Sequence, residues 1–250
     1  FRWRWGNLIG SAGWNYLINR KLFATFTGGY TRYRSHIIQK QNAFVSSPDK
    51  NGQVYFQEGH YRSAMEDVNL RASFDYRPNV DHRIRMGSDY LFHLFRPEQS
   101  NMSSWYKDSV VSQMNNTIFS HSLMHGQEVS LYAEDEMLLT DRLRVNAGLR
   151  FTLFHVQGET YQSFQPRFST RYLLGRNLSA KVSYTKMNQY IHLLSNSYIS
   201  QPTDIWVPVT GNIRPMHAHQ VTSGLFWHYK ELDFSVEGYY KRMNNLVEYK

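Results

Sequence analysis

The segment RLRVNAGLRFTLF, residues 142–154, decides the fold because its polarity alternates with a period of two. One phase is apolar and comprises Leu143, Val145, Ala147, Leu149, Phe151 and Leu153. The other is mostly polar and comprises Arg142, Arg144, Asn146, Gly148, Arg150 and Thr152. Side chains of a strand point alternately to opposite faces, so the segment is predicted to be a two-faced strand. At about a dozen residues it is about twice as long as a usual strand in a soluble protein. Repeated long strands of this kind are typical of a membrane barrel.

The same alternation recurs along most of the chain. It predicts about ten strands, at residues 3–18, 22–34, 61–77, 83–95, 127–139, 142–154, 165–174, 178–186, 220–229 and 232–249. Short and long connections alternate, with long polar loops predicted at 35–60, 96–124 and 190–219 and a modest loop at 157–161. Outer-membrane barrels have short periplasmic turns and longer extracellular loops. The fold class is therefore predicted to be all-β, an antiparallel transmembrane β-barrel.

The composition narrows the class of protein further. Aromatic residues make up 16% of the 250 residues, which fits the aromatic belts at a bilayer surface. The mean hydropathy of −0.57 excludes spanning helices but not a barrel, in which only alternate residues face lipid. Cysteine is absent, so there is neither a disulfide framework nor a thiolate metal site. The net charge of +8 is scattered along the chain, and we predict no nucleic-acid partner.

The alternation of short and long connections predicts on which side of the membrane the two ends of the chain lie, and hence whether the barrel is complete. The first and last connections are both short, which places Phe1 and Lys250 on the long-loop side. Complete barrels normally keep both termini in the periplasm. We therefore expect residues 1–250 to be a partial outer-membrane barrel domain, an internal piece of a longer barrel, whose open edges lipid would not tolerate alone.

Three stretches carry a family resemblance: SLYAEDEMLLTDRLRVNAGLR (130–150), MNQYIHLLSN with PTDIWVP (187–196 and 202–208), and EGYYKRMNNLVEY (237–249). In this order they resemble the barrel of TonB-dependent outer-membrane receptors of the Bacteroidetes type. The resemblance implies a barrel of about 22 strands in the cell outer membrane and an N-terminal plug domain. It also implies the TonB complex and outer-membrane lipid as partners, with a surface lipoprotein as a further one. The imported ligand would be a siderophore, haem, cobalamin, glycan or peptide. No plug domain is found in this sequence.

The candidate site residues fall into two groups. Arg144, Arg150, Arg167 and Arg171 are predicted to face the lumen, where they could contact a plug, steer an anionic ligand or merely solvate an aqueous interior. In the 190–219 loop, Asp204 and Trp206 offer a charge beside an apolar plate, and His217 and His219 have a spacing that could hold a metal but lack a third ligand. Glu134, Asp135 and Glu136 are predicted to be solvated or plug-facing charges, and neither an enzyme nor a cofactor is expected.

Two other classes of protein stay open at this stage. One is a passive porin or adhesin-like barrel, which would lack an upstream plug domain. The other is a soluble all-β binding domain, which would be a compact monomer without detergent.

Overall fold

The computed structural model describes residues 1–47, 50–107, 112–120, 123–194 and 205–247. Within these residues the elements are strands: β1 Arg2–Asn19, β2 Leu22–Ser47, β3 Lys50–Tyr76, β4 His82–Lys107, β5 Ser112–Ser120, β6 Met124–Thr140, β7 Leu143–Val156, β8 Glu159–Leu173, β9 Leu178–Gln189, β10 Ile191–Leu194, β11 Ile205–Pro208, β12 Met216–Tyr229 and β13 Leu232–Asn244. The described part of the chain contains no helix long and apolar enough to cross a membrane.

Eleven of the described strands form one antiparallel sheet with a simple up-and-down order. Its path is β1-β2-β3-β4-β6-β7-β8-β9-β12-β13, so ten strands lie side by side. β5 pairs with the far end of β4, and β10 pairs with β11 as a separate two-stranded ribbon. The ten-strand all-β antiparallel architecture predicted from the alternation is confirmed.

Strand register sorts the side chains onto two faces. Leu131 lies opposite Phe151, and Phe151 lies opposite Phe164, so these three side chains share one face. We call it the apolar face. The neighbouring positions Ser130, Thr152 and Ser163 share the other, which we call the polar face.

The apolar face leaves large hydrophobic side chains uncovered across the whole sheet. The exposed fraction is 56% for Leu131, 57% for Phe164 and 51% for Leu225. A continuous apolar surface of this extent is a liability in water, whereas the outward face of a membrane barrel requires one.

The two ends of the sheet differ in their connections. At one end, the short-turn end, side-chain oxygens accept hydrogen bonds from the backbone and close the turns. Asn19 Oδ1 accepts from Lys21 N (2.9 Å), and Asn79 Oδ1 accepts from Asp81 N and His82 N (3.0 and 2.9 Å). We call the opposite end the long-loop end.

Three predicted loops at the long-loop end are wrong in detail. β2 and β3 remain paired from Leu22 to Ser47, through most of the predicted loop 35–60. β4 continues to Lys107 and pairs with β5, within the predicted loop 96–124. The modest loop at 157–161 is a tight turn in which Gln157 and Gly158 adopt φ of 48° and 85°. Backbone pairing does not depend on alternating polarity, so the ladders continue where polar residues occupy both phases.

Candidate functional site

A short hairpin follows β9 and lies against the polar face at the long-loop end. β10 and β11 pair with His192 opposite Val207, and we call them together the inner hairpin. Its base is closed by a hydrogen bond from Val209 N to the carbonyl oxygen of Tyr190 (2.8 Å). β11 also contacts β4, so the inner hairpin crosses the polar face instead of continuing the sheet.

An apolar seat holds the inner hairpin against β7. Phe154, Val156, Tyr190 and Val209 form a buried cluster, and Tyr161 packs beside it. The Tyr190 ring stacks on the Phe154 ring, with centroids 5.0 Å apart and an interplanar angle of 9°. Tyr161 OH donates to the carbonyl oxygen of Thr210 (2.8 Å), which anchors the chain that leaves the hairpin.

A hydrogen-bonded network of polar side chains continues from the seat across β8, β7 and β6. The hydroxyl of Tyr190 hydrogen-bonds to Ser163 Oγ (2.6 Å), and Gln165 Nε2 donates to both Ser163 Oγ (3.0 Å) and Thr152 Oγ1 (3.2 Å). Thr152 Oγ1 is in turn 2.9 Å from Ser130 Oγ. All of these side chains are buried, and satisfied buried polar networks fix a single geometry.

Charged side chains extend this network across the sheet. Asp89 is 3% exposed and accepts from Arg71 Nε (2.5 Å) and from Arg150 Nη1 (2.8 Å). Arg150 also lies 3.8 Å from Glu128, whose Oε1 accepts from Ser130 Oγ (3.3 Å). Arg150, predicted from sequence, therefore links the charged part of the wall to the polar chain beneath the inner hairpin.

His192 is the titratable group within the inner hairpin. It is 4% exposed, and its Nε2 has no hydrogen-bond partner among the described residues. Burial lowers the pKa of His192 from its usual value, because the charged imidazolium would lose its hydration. Burial likewise raises the pKa of the Tyr190 hydroxyl, so both groups are neutral near pH 7.

The other three predicted arginines also lie on the polar face. Arg144 Nη1 is 3.1 Å from Glu136, and Arg167 Nη1 is 3.9 Å from Glu134. Arg171 lies opposite Arg144 on one side and Lys181 on the other. Arg144, Arg171 and Lys181 line a concavity of about 390 Å³ together with Glu136 and Glu237.

Among the described residues predicted for the ligand loop, Trp206 is not brought together with His217 and His219. Asp204 lies outside the described residues, whereas Trp206 lies in β11 and is partly exposed. His217 and His219 lie in β12, in phase with the apolar face, where Asn244 Nδ2 is 3.1 Å from His217 Nε2 and Tyr184 OH is 2.9 Å from His219 Nδ1. In the described part of the chain, no group of three His, Asp or Glu side chains is placed to hold a metal ion.

The seat itself was missed by the sequence reasoning, although its signal is present. The polar phase of β7 reads Arg144, Asn146, Gly148, Arg150 and Thr152, and then switches to Phe154 and Val156. Two apolar residues in the polar phase require cover on the polar face, and the inner hairpin supplies it.

Comparisons with known proteins agree with this architecture. The family model described as TonB dependent receptor-like, beta-barrel matches residues 1–250. None of the curated proteins matches the chain. Among solved structures, the siderophore receptor PiuA from Acinetobacter baumannii is similar with a TM-score of 0.64 and 11% identity, over 95% of this chain and 40% of that one.

Two further structures show the same fold. The ferric-catecholate import receptor Fiu from E. coli, in its closed form, gives a TM-score of 0.60 at 11% identity, over 97% of this chain and 41% of that one. The RagAB peptide transporter gives 0.57 at 13% identity, over 97% of this chain and 30% of that one. The chain thus spans less than half the length of each of these proteins.

Proposed function

Because the chain belongs to the TonB-dependent receptor-like β-barrel family, we propose that it forms part of the wall of an active outer-membrane importer. The protein is an outer-membrane barrel and its family is one of receptors, not enzymes. The proposal adds energy-coupled uptake through a plug domain and the TonB complex. The observation that carries it is the match of the family model to residues 1–250. The inner hairpin, seated over the polar face at the long-loop end, supplies the candidate ligand contact.

In this proposal the apolar face meets lipid and the polar face lines the lumen. Arg144 lies near a carboxylate on the adjacent strand, and Arg150 and Arg167 lie near carboxylates two strands away, so the sheet balances these three charges. These ion pairs reduce the net positive charge that the three arginines present to the lumen. Ligand selection then falls on the inner hairpin, where Trp206 is the proposed contact. Asp204, two residues earlier in the sequence, is a second candidate.

The ligand proposed is a scarce, large one: a siderophore, haem, cobalamin, a glycan or a peptide. The similar structures include a siderophore receptor, a ferric-catecholate receptor and a peptide transporter, so the shared wall does not select among these classes. A surface lipoprotein partner stays a prediction, which affinity purification of the full-length protein from membranes tests.

Uptake by the full-length protein tests energy coupling. We would express it in a Gram-negative strain that lacks its own receptors, with and without TonB, and supply labelled ferric catecholate, haem, cyanocobalamin, an oligosaccharide and a mixed peptide pool. Active import predicts accumulation of one probe that stops when TonB is deleted. Unchanged accumulation without TonB would overturn the proposal in favour of a passive porin.

The role of the hairpin is tested in the same strain. Trp206→Ala is expected to reduce accumulation of the imported probe, while Trp227→Ala, an exposed aromatic residue of the apolar face, should leave it unchanged. Equal rates for both variants would show that ligand selection lies elsewhere in the barrel.

A further inference from the structure

Arginines replace the apolar residues at the same level of four adjacent strands on the apolar face. Along β2 this phase reads Leu22, Ala24, Phe26, Gly28 and Tyr30, and then Arg32 and Arg34. On the neighbouring strands it ends in Arg4 and Arg2 of β1, Arg62 of β3 and Arg96 of β4. We call these six residues the basic patch: Arg2, Arg4, Arg32, Arg34, Arg62 and Arg96.

Strand register places the members of the basic patch beside one another. Arg4 and Arg62 both lie opposite His36, one on each side of β2. Arg34 and Arg96 both lie opposite Ala64, one on each side of β3. The arginines therefore form neighbouring rows on one surface instead of being scattered along the chain.

The position of the patch relative to the membrane follows from strand geometry. Arg32 is ten residues beyond Leu22, at the start of β2, and Arg62 is fourteen residues from Tyr76, at the end of β3. With a rise of about 3.3 Å per residue and a tilt of about 40°, these positions lie about 25 to 35 Å above the short-turn end. The apolar band of an outer-membrane barrel is about 25 Å tall, so the patch begins at its outer edge.

The patch has an unbalanced positive charge. Glu66 Oε1 is 2.5 Å from Arg96, and Glu66 Oε2 accepts from Tyr30 OH (2.9 Å). Among the described carboxylates, none lies within ion-pair distance of Arg2, Arg4, Arg32, Arg34 or Arg62. Arg2, Arg4, Arg34 and Arg62 are exposed and Arg32 is half-buried, so their guanidinium groups are available to a ligand.

The middle of the sheet lacks this charge at the same level. Where β6, β7 and β8 leave the apolar band, the apolar phase continues with Gln127, His155 and Gln162. The basic patch is therefore a local surface of β1–β4.

We propose that the basic patch binds the phosphate groups of anionic lipid head groups in the outer leaflet, such as those of lipopolysaccharide. The inference rests on the outer-membrane location given above but not on energy-coupled uptake. The surface immediately beneath the patch is apolar and meets acyl chains, so the molecule that reaches both surfaces is a lipid. Guanidinium groups bind phosphate oxygens in bidentate fashion, and arginine is more weakly hydrated than lysine, which suits this interface.

The test uses the full-length protein in detergent and measures binding of purified lipopolysaccharide, chemically dephosphorylated lipopolysaccharide and inorganic phosphate. The test variant is R32Q/R34Q/R62Q. The matched control is R20Q/R142Q/R176Q, which removes the same charge from exposed turn residues at the short-turn end. Each basic residue near an anionic lipid surface contributes about fivefold in affinity, so the test variant should lose about a hundredfold.

The control should stay within about twofold of the unchanged protein on the same scale. Dephosphorylated lipopolysaccharide should bind as weakly to the unchanged protein as phosphorylated lipopolysaccharide binds to the test variant. Equal affinity of the test variant and the control, or unchanged affinity for the dephosphorylated lipid, would overturn the proposal. Displacement of lipopolysaccharide by inorganic phosphate at a concentration as low as that of the lipid would also overturn it, in favour of a site for a free anion.

Two further measurements separate failure of this proposal from failure of the fold or of the proposed function. Heat-modifiable migration on a gel reports whether the test variant still forms its barrel. The uptake assay reports whether it still imports, and import should persist because the basic patch lies on the opposite face from the inner hairpin.

Discussion

Replacing Tyr190 by alanine should release the inner hairpin from the wall while leaving the barrel intact. Tyr190 is 4% exposed, stacks on Phe154 and hydrogen-bonds to Ser163. These contacts join the hairpin to β7 and β8. The strands of the sheet, in contrast, are held by ladders of backbone hydrogen bonds that the substitution does not touch.

The contacts set the size of the effect. A stacked aromatic pair contributes about 1 kcal/mol beyond its buried area, and a buried hydrogen bond contributes about 1 kcal/mol. Truncation of a buried aromatic residue to alanine costs about 3 to 5 kcal/mol in a closed core. The hairpin covers a surface and is not enclosed, so we expect about 3 kcal/mol, which is about 150-fold in the ratio of closed to open hairpin. Tyr190→Phe keeps the stack and should cost about 1 kcal/mol, or about fivefold.

Hydrogen exchange of the full-length protein measures this ratio directly. The reporter is the amide of Val209, which is fully buried and donates to the Tyr190 carbonyl at the base of the hairpin. Its protection should fall about 150-fold in Tyr190→Ala and about fivefold in Tyr190→Phe. Amides of the β7–β8 ladder serve as the internal reference, and Tyr229→Ala, which truncates an exposed tyrosine, is the control. Unchanged protection at Val209, or an equal loss throughout the ladder, would refute the reasoning.

Three other predictions concern pH, charge and packing. The lowered pKa of His192 means that the closed hairpin favours the neutral ring, so its stability is complete above the unfolded pKa of about 6.5 and falls as the pH drops below it. Protection at Val209, corrected for intrinsic exchange, should therefore decrease from pH 7.5 to pH 5.5, and His192→Gln should remove that decrease. Asp89→Asn should lower the free energy of unfolding by about 2 kcal/mol in urea titrations because two arginines lose a buried partner, whereas Asp233→Asn, 84% exposed, should change it by less than about 0.5 kcal/mol. Gly87→Ala should cost about 1 to 3 kcal/mol because the new Cβ meets a backbone oxygen and the Tyr132 hydroxyl, while Gly238→Ala meets nothing and should be tolerated.

The sequence predicted the wall well because the wall obeys a local rule. Burial on one face and water on the other impose a period of two, and the predicted strand at 142–154 corresponds closely to β7, Leu143–Val156. The same rule placed Arg144, Arg150 and Arg167 in one phase, and the structure finds them on one face. Their carboxylate partners could not be predicted, since Arg150 meets Asp89 at a separation of 61 residues that only the strand register brings together.

Prediction from the sequence failed where the two faces of a strand do not meet different environments. In the β2–β3 hairpin beyond the basic patch, polar residues occupy both phases, so the composition resembles that of a loop although the backbone ladder continues to Ser47. The inner hairpin was not predicted from the sequence for another reason. Its partner surface is a pair of apolar residues in the polar phase of β7, and nothing local shows which distant segment covers them. Residue Phe154 is informative only when its phase is compared with that of Arg150.

The seat of the inner hairpin limits what a ligand can do there. A ligand shifts an equilibrium between two conformations only by its difference in affinity for them. If Tyr190 and Phe154 contribute about 3 kcal/mol to the closed hairpin, a ligand that opens it must favour the open form by about 150-fold to cancel that contribution. A ligand that contacts Trp206 in the closed form meets no such cost, because the hairpin is already ordered by the wall. Recognition by the closed hairpin therefore requires less binding free energy. It also predicts that the Tyr190→Ala variant loses affinity even though Tyr190 itself is buried beneath the proposed contact surface.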